Sequence, residues 1–323
     1  MFSGSTGSGG FTGWTGSPGV HSIIANNGSG NLASGDYSFV GGFNNSAIKE
    51  YSSVVGGLEN IAEGRKSFIG GGRANSATTT YSIVVGGAYN KVSGHASFIG
   101  GGFNNSATTN YSAVVGGKYN LASGYDSFVG GGKNNLSSQN CSFIGGGSGN
   151  TAYTMFSTVV GGKNNLASYA SSFIGSGFRN IASGYYSIVV GGKNNLSSQS
   201  YSFIGGGSNN EASGNQSFIG GGSNNEASGN QSFIGGGSNN KASGYYSFVG
   251  GGRNNTAGVY YSVVVGGYNN AVTAYYYSSI VGGKNNIISR QQSFIGGGLE
   301  NSVSEGNTRT CYRLNRNRWM GSL

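Results

Sequence analysis

One proline, two cysteines and two histidines occur in 323 residues, and only 8% of the chain is charged. So little proline excludes a Pro-rich disordered chain and a collagen helix running throughout. Cys141 and Cys311 are too few for a disulfide framework, so cysteine usage indicates no redox compartment. The low charge excludes a chain kept unfolded by self-repulsion, because hydrophobic residues still supply 36%. No apolar run approaches the roughly 20 residues that cross a bilayer. Met1–Gly7 carries neither the basic nor the apolar region of a secretory signal.

Chemistry-bearing residues are equally sparse. His21 and His95 lie far apart with no paired cysteine, which leaves a metal site or a catalytic triad without members. The nine acids are scattered, and Asp126 and Glu211 stand alone, whereas a glycosidase needs two convergent carboxylates. A regular Asp column of the calcium-binding kind is absent, and neither a helix nor Lys-Ser/Thr follows the Gly runs as in a phosphate loop. The expectation is a chain that is not an enzyme and takes no cofactor or metal. Of the net charge of +9, Arg309, Arg313, Arg316 and Arg318 supply four, so the rest is too mildly basic for a nucleic-acid footprint.

What the chain has is glycine, 66 residues of it. Interior Gly costs a helix about 1 kcal/mol each relative to Ala, which points to a Gly-punctuated β architecture. Serine reveals the period: Ser52, Ser67, Ser82 and onward to Ser262 recur at every fifteenth residue. Ser38 precedes them with one residue missing, Ser278 and Ser293 follow one insertion, and the total is 18 repeats. Residues 202–216 and 217–231 are identical copies, a mark of growth by duplication.

Numbered from that Ser, position 3 is always Val or Ile, position 9 is always Asn, position 11 is usually Ala, and Gly runs occupy positions 4–6. Ser-x-Ile/Val and Asn-x-Ala read as two short strands, with Gly permitting φ > 0 at the corners between them. Each repeat is then one coil of a parallel β-roll or β-solenoid, positions 3 and 11 pointing inward and Asn forming a ladder between coils. At ~4.8 Å per coil the stack would be roughly 86 Å long.

Positions 2 and 4 obey an either-or rule. Phe39, Phe68, Phe98, Phe128, Phe143, Phe173, Phe203, Phe218, Phe233, Phe248 and Phe294 occupy position 2 wherever position 4 is Gly. The other seven repeats carry Val at position 4 and no Phe at position 2, as in Ile83/Val85 and Ala113/Val115. Such exclusion suggests a crowded layer, and a strand apolar on both faces is buried on both. Further copies of the chain would cover this second face, so these Phe residues are expected at an oligomer contact.

The repeat Ser-Phe-Ile-Gly-Gly-Gly-x-Asn-Asn-x-Ala-Ser-Gly, as in residues 232–244, resembles the head repeats of trimeric autotransporter adhesins of the YadA type over about residues 23–305. Similar repeats occur in fibres and surface proteins of phages and large DNA viruses. The resemblance implies a left-handed, all-β parallel roll of about 18 coils, assembled as a homotrimer and serving attachment. Independently, Gly4, Gly7, Gly10, Gly13, Gly16 and Gly19 keep a period of three, either a short collagen-like trimeric leader or a flexible Gly/Ser segment. The domains read as a leader at 1–22, the roll at 23–305, and a basic cap or docking tail at 306–323.

Two outer columns are candidate binding surfaces. Arg73, Lys118, Lys133, Lys163, Lys193, Arg253 and Lys284 share position 7, either as a stripe for a host glycan or other anionic surface or as a solvated edge that resists lateral aggregation. Tyr81, Tyr111, Tyr125, Tyr185, Tyr186, Tyr245, Tyr246, Tyr260 and Tyr261 recur at positions 14–15, where they stack on one another or meet sugar faces. The function expected is a structural fibre or attachment protein on a virion or cell surface, with no membrane span and no nucleic-acid partner. A filament subunit joined end to end is the alternative, and a polysaccharide-degrading tailspike a lesser one.

Overall fold

In the computed structural model, which describes residues 14–16, 19–25, 30–274 and 276–304, each coil contributes two two-residue strands, at positions 2–3 and 10–11. The protein is an all-β parallel solenoid of about 18 turns, with no helix among the described residues. It divides into two compact units, Met1–Asn164 and Asn165–Leu323, the division falling inside the coil that begins at Ser157.

In unit 1, Phe68 pairs in parallel with Ile83, and Ile83 with Phe98; on the second strand Ile61 pairs with Ser76, and Ser76 with Lys91. Unit 2 repeats the arrangement through Phe203, Phe218, Phe233 and Phe248 and through Glu211, Glu226 and Lys241. The short coil is accommodated in unit 1, where Phe39 pairs with Ser53, and the insertion in unit 2, where Val263 pairs with Ser279. Beyond the two expected strands there is a third column of contact, single-residue parallel bridges at position 7, such as Phe103 to Lys118 and Lys118 to Lys133. One lone bridging residue leaves no alternating pattern in the sequence to reveal it.

The interior is as expected. Position 3, from Val40 through Ile144 to Ile280, and Ala at position 11, such as Ala62, Ala107 and Ala242, have no exposed surface. Each buried Val or Ile contributes about 1.5–3 kcal/mol relative to exposure. Where Ser137 and Ser197 replace Ala, their hydroxyls meet those of Ser142 and Ser202 at 2.6 Å, so no polar group is stranded by the exchange. The Asn ladder also forms, in a form the sequence did not reveal. The Asn135 amide donates to the carbonyls of Gly131 and Gly147, and its Oδ1 accepts the backbone N–H of Asn150. The Asn135 side chain thus ties its own coil to the following one, and its backbone N–H donates to Oδ1 of Asn120 in the preceding coil.

Gly makes only part of the φ > 0 corners. Position 6 does need Gly: Gly132 has φ 86°, and a Cβ there would lie 2.0 Å from the carbonyl oxygen of Gly147. Positions 8 and 15 also take left-handed conformations, but with ordinary residues, such as Tyr89 (φ 58°), Asp126 (φ 54°) and Gln216 (φ 57°). That conformation costs an L-residue roughly 1–2 kcal/mol. It turns the N–H toward the preceding coil, so that Tyr81 donates to Arg65 and Tyr89 to Arg73, while strand N–H groups donate to the following coil. The Ser at position 1 closes the turn before it: in Ser67, backbone N–H and Oγ both donate to the carbonyl of Gly64. Ser217, Ser232 and Ser247 bury the hydroxyl without a partner.

At the start of unit 1, Trp14–Gly16 pairs antiparallel with Ile23–Ala25, which in turn pairs in parallel with Phe39–Val40. This strand covers an edge that the parallel ladder would leave open. The rest of the period-three leader before Trp14 and the basic tail, with its four Arg, lie outside the described residues.

Candidate functional site

The strand geometry that buries position 3 turns positions 2 and 4 outward, because successive side chains alternate between faces. Phe39, Phe98, Phe128, Phe173, Phe203, Phe218, Phe233 and Phe248 are half-buried, and Phe68, Phe143 and Phe294 are exposed. The Val residues at position 4 are 43–51% exposed, from Val281 to Val55. Each unit therefore carries an apolar strip on the face opposite its core. In unit 2 the rings of Phe203, Phe218, Phe233 and Phe248 stack in parallel at 4.9, 4.8 and 5.1 Å. In unit 1, Phe128 and Phe143 stack at 5.2 Å.

The either-or rule has its cause within a single chain. A Cβ on Gly130 would lie 3.3 Å from the ring of its own Phe128 and 2.3 Å from the carbonyl oxygen of Gly145 in the next coil. The carbonyl of the next coil is the nearer obstacle and the Phe ring a second, looser one, and both belong to the same chain. The exclusion accordingly needs no second copy; the exposed strip is the feature that a further copy would cover.

The seven cations of position 7 are all exposed, Arg73, Lys118, Lys133 and Lys163 in unit 1 and Lys193, Arg253 and Lys284 in unit 2. Arg73, Lys118, Arg253 and Lys284 sit at aromatic rings. The Lys118 ammonium sits 5.1 Å from the Phe103 centroid and 5.0 Å from that of Tyr119. Arg73 lies 5.9 Å from the Tyr89 ring, with Glu59 at 3.9 Å. In unit 2, Arg253 and Lys284 flank Tyr268 at 6.0 and 5.7 Å. The aromatics at positions 7 and 8 recur without a fixed spacing, so the sequence pattern marks the charges and not the rings; Lys118-Tyr119 is the adjacent-residue signal.

The tyrosine column of positions 14–15 is built by self-stacking. Tyr246 and Tyr261, and Tyr261 and Tyr277, stack at 5.0 Å, while Tyr245 and Tyr260 stack at 5.6 Å. Desolvation, followed by the neighbouring Tyr245, pushes the Tyr246 phenol above its ordinary pKa, which keeps it neutral. Tyr81, His95, Tyr111 and Tyr125 form an edge-to-face run in unit 1, and His21 stacks on Tyr37. Both histidines are thereby placed in aromatic columns. Among the described residues no three His, Cys, Asp or Glu converge as a metal site would require. Cys141, a free thiol, occupies the exposed left-handed corner where other coils carry Tyr.

These surfaces can bind, through apolar area, ring faces and fixed positive charge. No family model and no curated protein match the chain. No helix among the described residues is long and apolar enough to cross a membrane.

Proposed function

We propose that this protein is a structural attachment protein of a virion or cell surface, working as a homotrimer of left-handed rolls like the heads of trimeric autotransporter adhesins. The observation that carries this reading is the exposed Phe/Val strip: Val55, Val85 and Val115 are each about half exposed, and apolar surface recurs from coil to coil within each unit. Contiguous apolar surface beyond a few hundred Å² marks an interaction site. A further copy is the simplest cover, because every chain brings the same strip. Three copies agree with the head-repeat resemblance and with the period-three glycines of the leader.

Mass measurement under native conditions is expected to give three chains, and a stable monomer would sink the proposal. Phe128→Asp places a charge in the contact and is expected to dissociate the trimer, while Phe128→Ser serves as the folding control because Ser53 and Ser279 hold that position in other coils. Electron microscopy separates attachment from the filament alternative: discrete rods agree with an attachment fibre, and long end-joined fibres with a filament.

A further inference from the structure

We infer that Tyr89, Phe103 and Tyr119, together with Arg73, Lys118 and Lys133, form a binding site in unit 1 for an anionic polysaccharide. The inference builds on the attachment reading by naming a ligand class and a place. The three rings occupy successive coils at centroid separations of 5.5 and 5.6 Å, crossed at 71° and 89°. They are 44%, 37% and 42% exposed. Crossed rings are not sandwiched between parallel neighbours, as Tyr261 is between Tyr246 and Tyr277. Their exposed area, beside the contacts that Lys118 and Arg73 make, is open to the C–H faces of sugars, with which aromatic rings pack.

The cations supply the second half of the chemistry. Lys118 stands over both Phe103 and Tyr119, Arg73 lies over Tyr89 at the other end of the row, and Lys133 bridges to Lys118 one coil further on. The rings hold the Lys118 ammonium at the surface, where it can turn to an anion through a charge-assisted hydrogen bond. Glu59, beside Arg73, is the single acid at positions 7–8 of unit 1, and it lies at the edge of the row. Sugar-facing rings in line with spaced cations fit a polymer whose sugars carry sulfate or carboxylate groups. Nucleic acid fits less well, since its affinity comes from neutralising many closely spaced phosphates, and Ala88 and Ser148 interrupt the cation row. In an assembly with several copies of the row, weak single contacts add through effective concentration.

The test uses the full chain on immobilised dextran sulfate, polygalacturonate, neutral dextran and single-stranded DNA. Substitutions copy residues found at the same positions in other coils: Ala88 for Phe103→Ala, Asn104 for Tyr119→Asn, and Ser148 for Lys118→Ser and Lys133→Ser. The expected result is binding to dextran sulfate, polygalacturonate or both, with none to dextran. The Phe103→Ala/Tyr119→Asn and Lys118→Ser/Lys133→Ser pairs should each weaken it about tenfold or more. Lys193→Ser/Arg253→Ser in unit 2 should change it less than about twofold. Binding to sulfate alone identifies the anion as sulfate, and binding to polygalacturonate alone as carboxylate; either supports the site. An unchanged affinity in the ring variants, equal loss in the unit 2 control, or tighter binding to DNA than to either polysaccharide overturns it. Surface adhesion that survives the unit 1 variants refutes this site and spares the attachment reading. Dextran sulfate binding without adhesion to any surface does the reverse.

Discussion

From Phe39 to Phe128 the coils of unit 1 alternate, Phe with Gly and then Val without Phe, whereas four successive coils of unit 2 carry Phe203, Phe218, Phe233 and Phe248. The rings of unit 2 bury one another at 4.8–5.1 Å. In unit 1, Phe68 pairs with Ser53 and Ile83, has no ring above or below, and is 37% exposed. Beneath these different surfaces the interior is the same: Val54 and Ile69 in unit 1, and Ile219 and Ile234 in unit 2, are completely buried. The difference teaches that the ladder and the inward columns set the coil, while the outer row changes composition without disturbing it.

The largest expected effect tests the shared interior. Asn135→Leu in unit 1 and Asn225→Leu in unit 2 remove equivalent bonds: the carbonyl of Gly131 or Gly221 loses its side-chain donor and the next Asn N–H loses its acceptor, while the carbonyl of Gly147 or Gly237 keeps the backbone N–H of Lys133 or Ser223. At about 1–3 kcal/mol per stranded buried group, each should cost about 3 kcal/mol or more in denaturant unfolding. Losses that differ between the units would break the claim of a uniform interior.

A middle-sized effect separates the two obstacles at position 4. Gly130→Val should destabilise unit 1 by about 2 kcal/mol, in the range of core overpacking. Phe128→Ile/Gly130→Val, which recreates the composition of the Ile83/Val85 coil, should recover most of that loss in the same unfolding measurement. Equal loss in both would show that the Gly145 carbonyl, not the ring, excludes the side chain.

The smallest effect sharpens the contrast between the outer rows. Phe218→Ser removes two parallel stacks and Phe68→Ser removes none, so the first should cost about 1–2 kcal/mol more, at roughly 0.5–1.5 kcal/mol per aromatic pair. Calorimetry of the two variants would register it, and equal costs would show that stacking contributes nothing beyond burial.

Much of the solenoid was legible because its determinants are periodic and chemically unambiguous. Ile or Val at position 3, Ala at position 11 and Asn at position 9 recur in phase, and all three are buried in the coils of both units. The position 7 bridges were not legible, since one residue between turns has no periodicity of its own. Nor were the left-handed corners at Tyr81, Lys66 or Gln231, because their φ answers to a hydrogen bond with the preceding coil rather than to residue type. The cations of position 7 were legible as charges, and their ring partners were not. Lys118 meets Phe103 from the coil before its own and Tyr119 from its own, and only the first of these depends on coil stacking.

The sequence by itself determined the coil length and the inward columns. It did so because a strict period of fifteen brings equivalent residues into register wherever backbone pairing is parallel. Only the tertiary structure decided why Gly accompanies Phe, which ring faces remain open and where each Asn sends its hydrogen bonds. Those outcomes depend on distances of a few ångströms between neighbouring coils, such as the missing room for a Cβ on Gly130 beside the Gly145 carbonyl, and residue order carries no such distances.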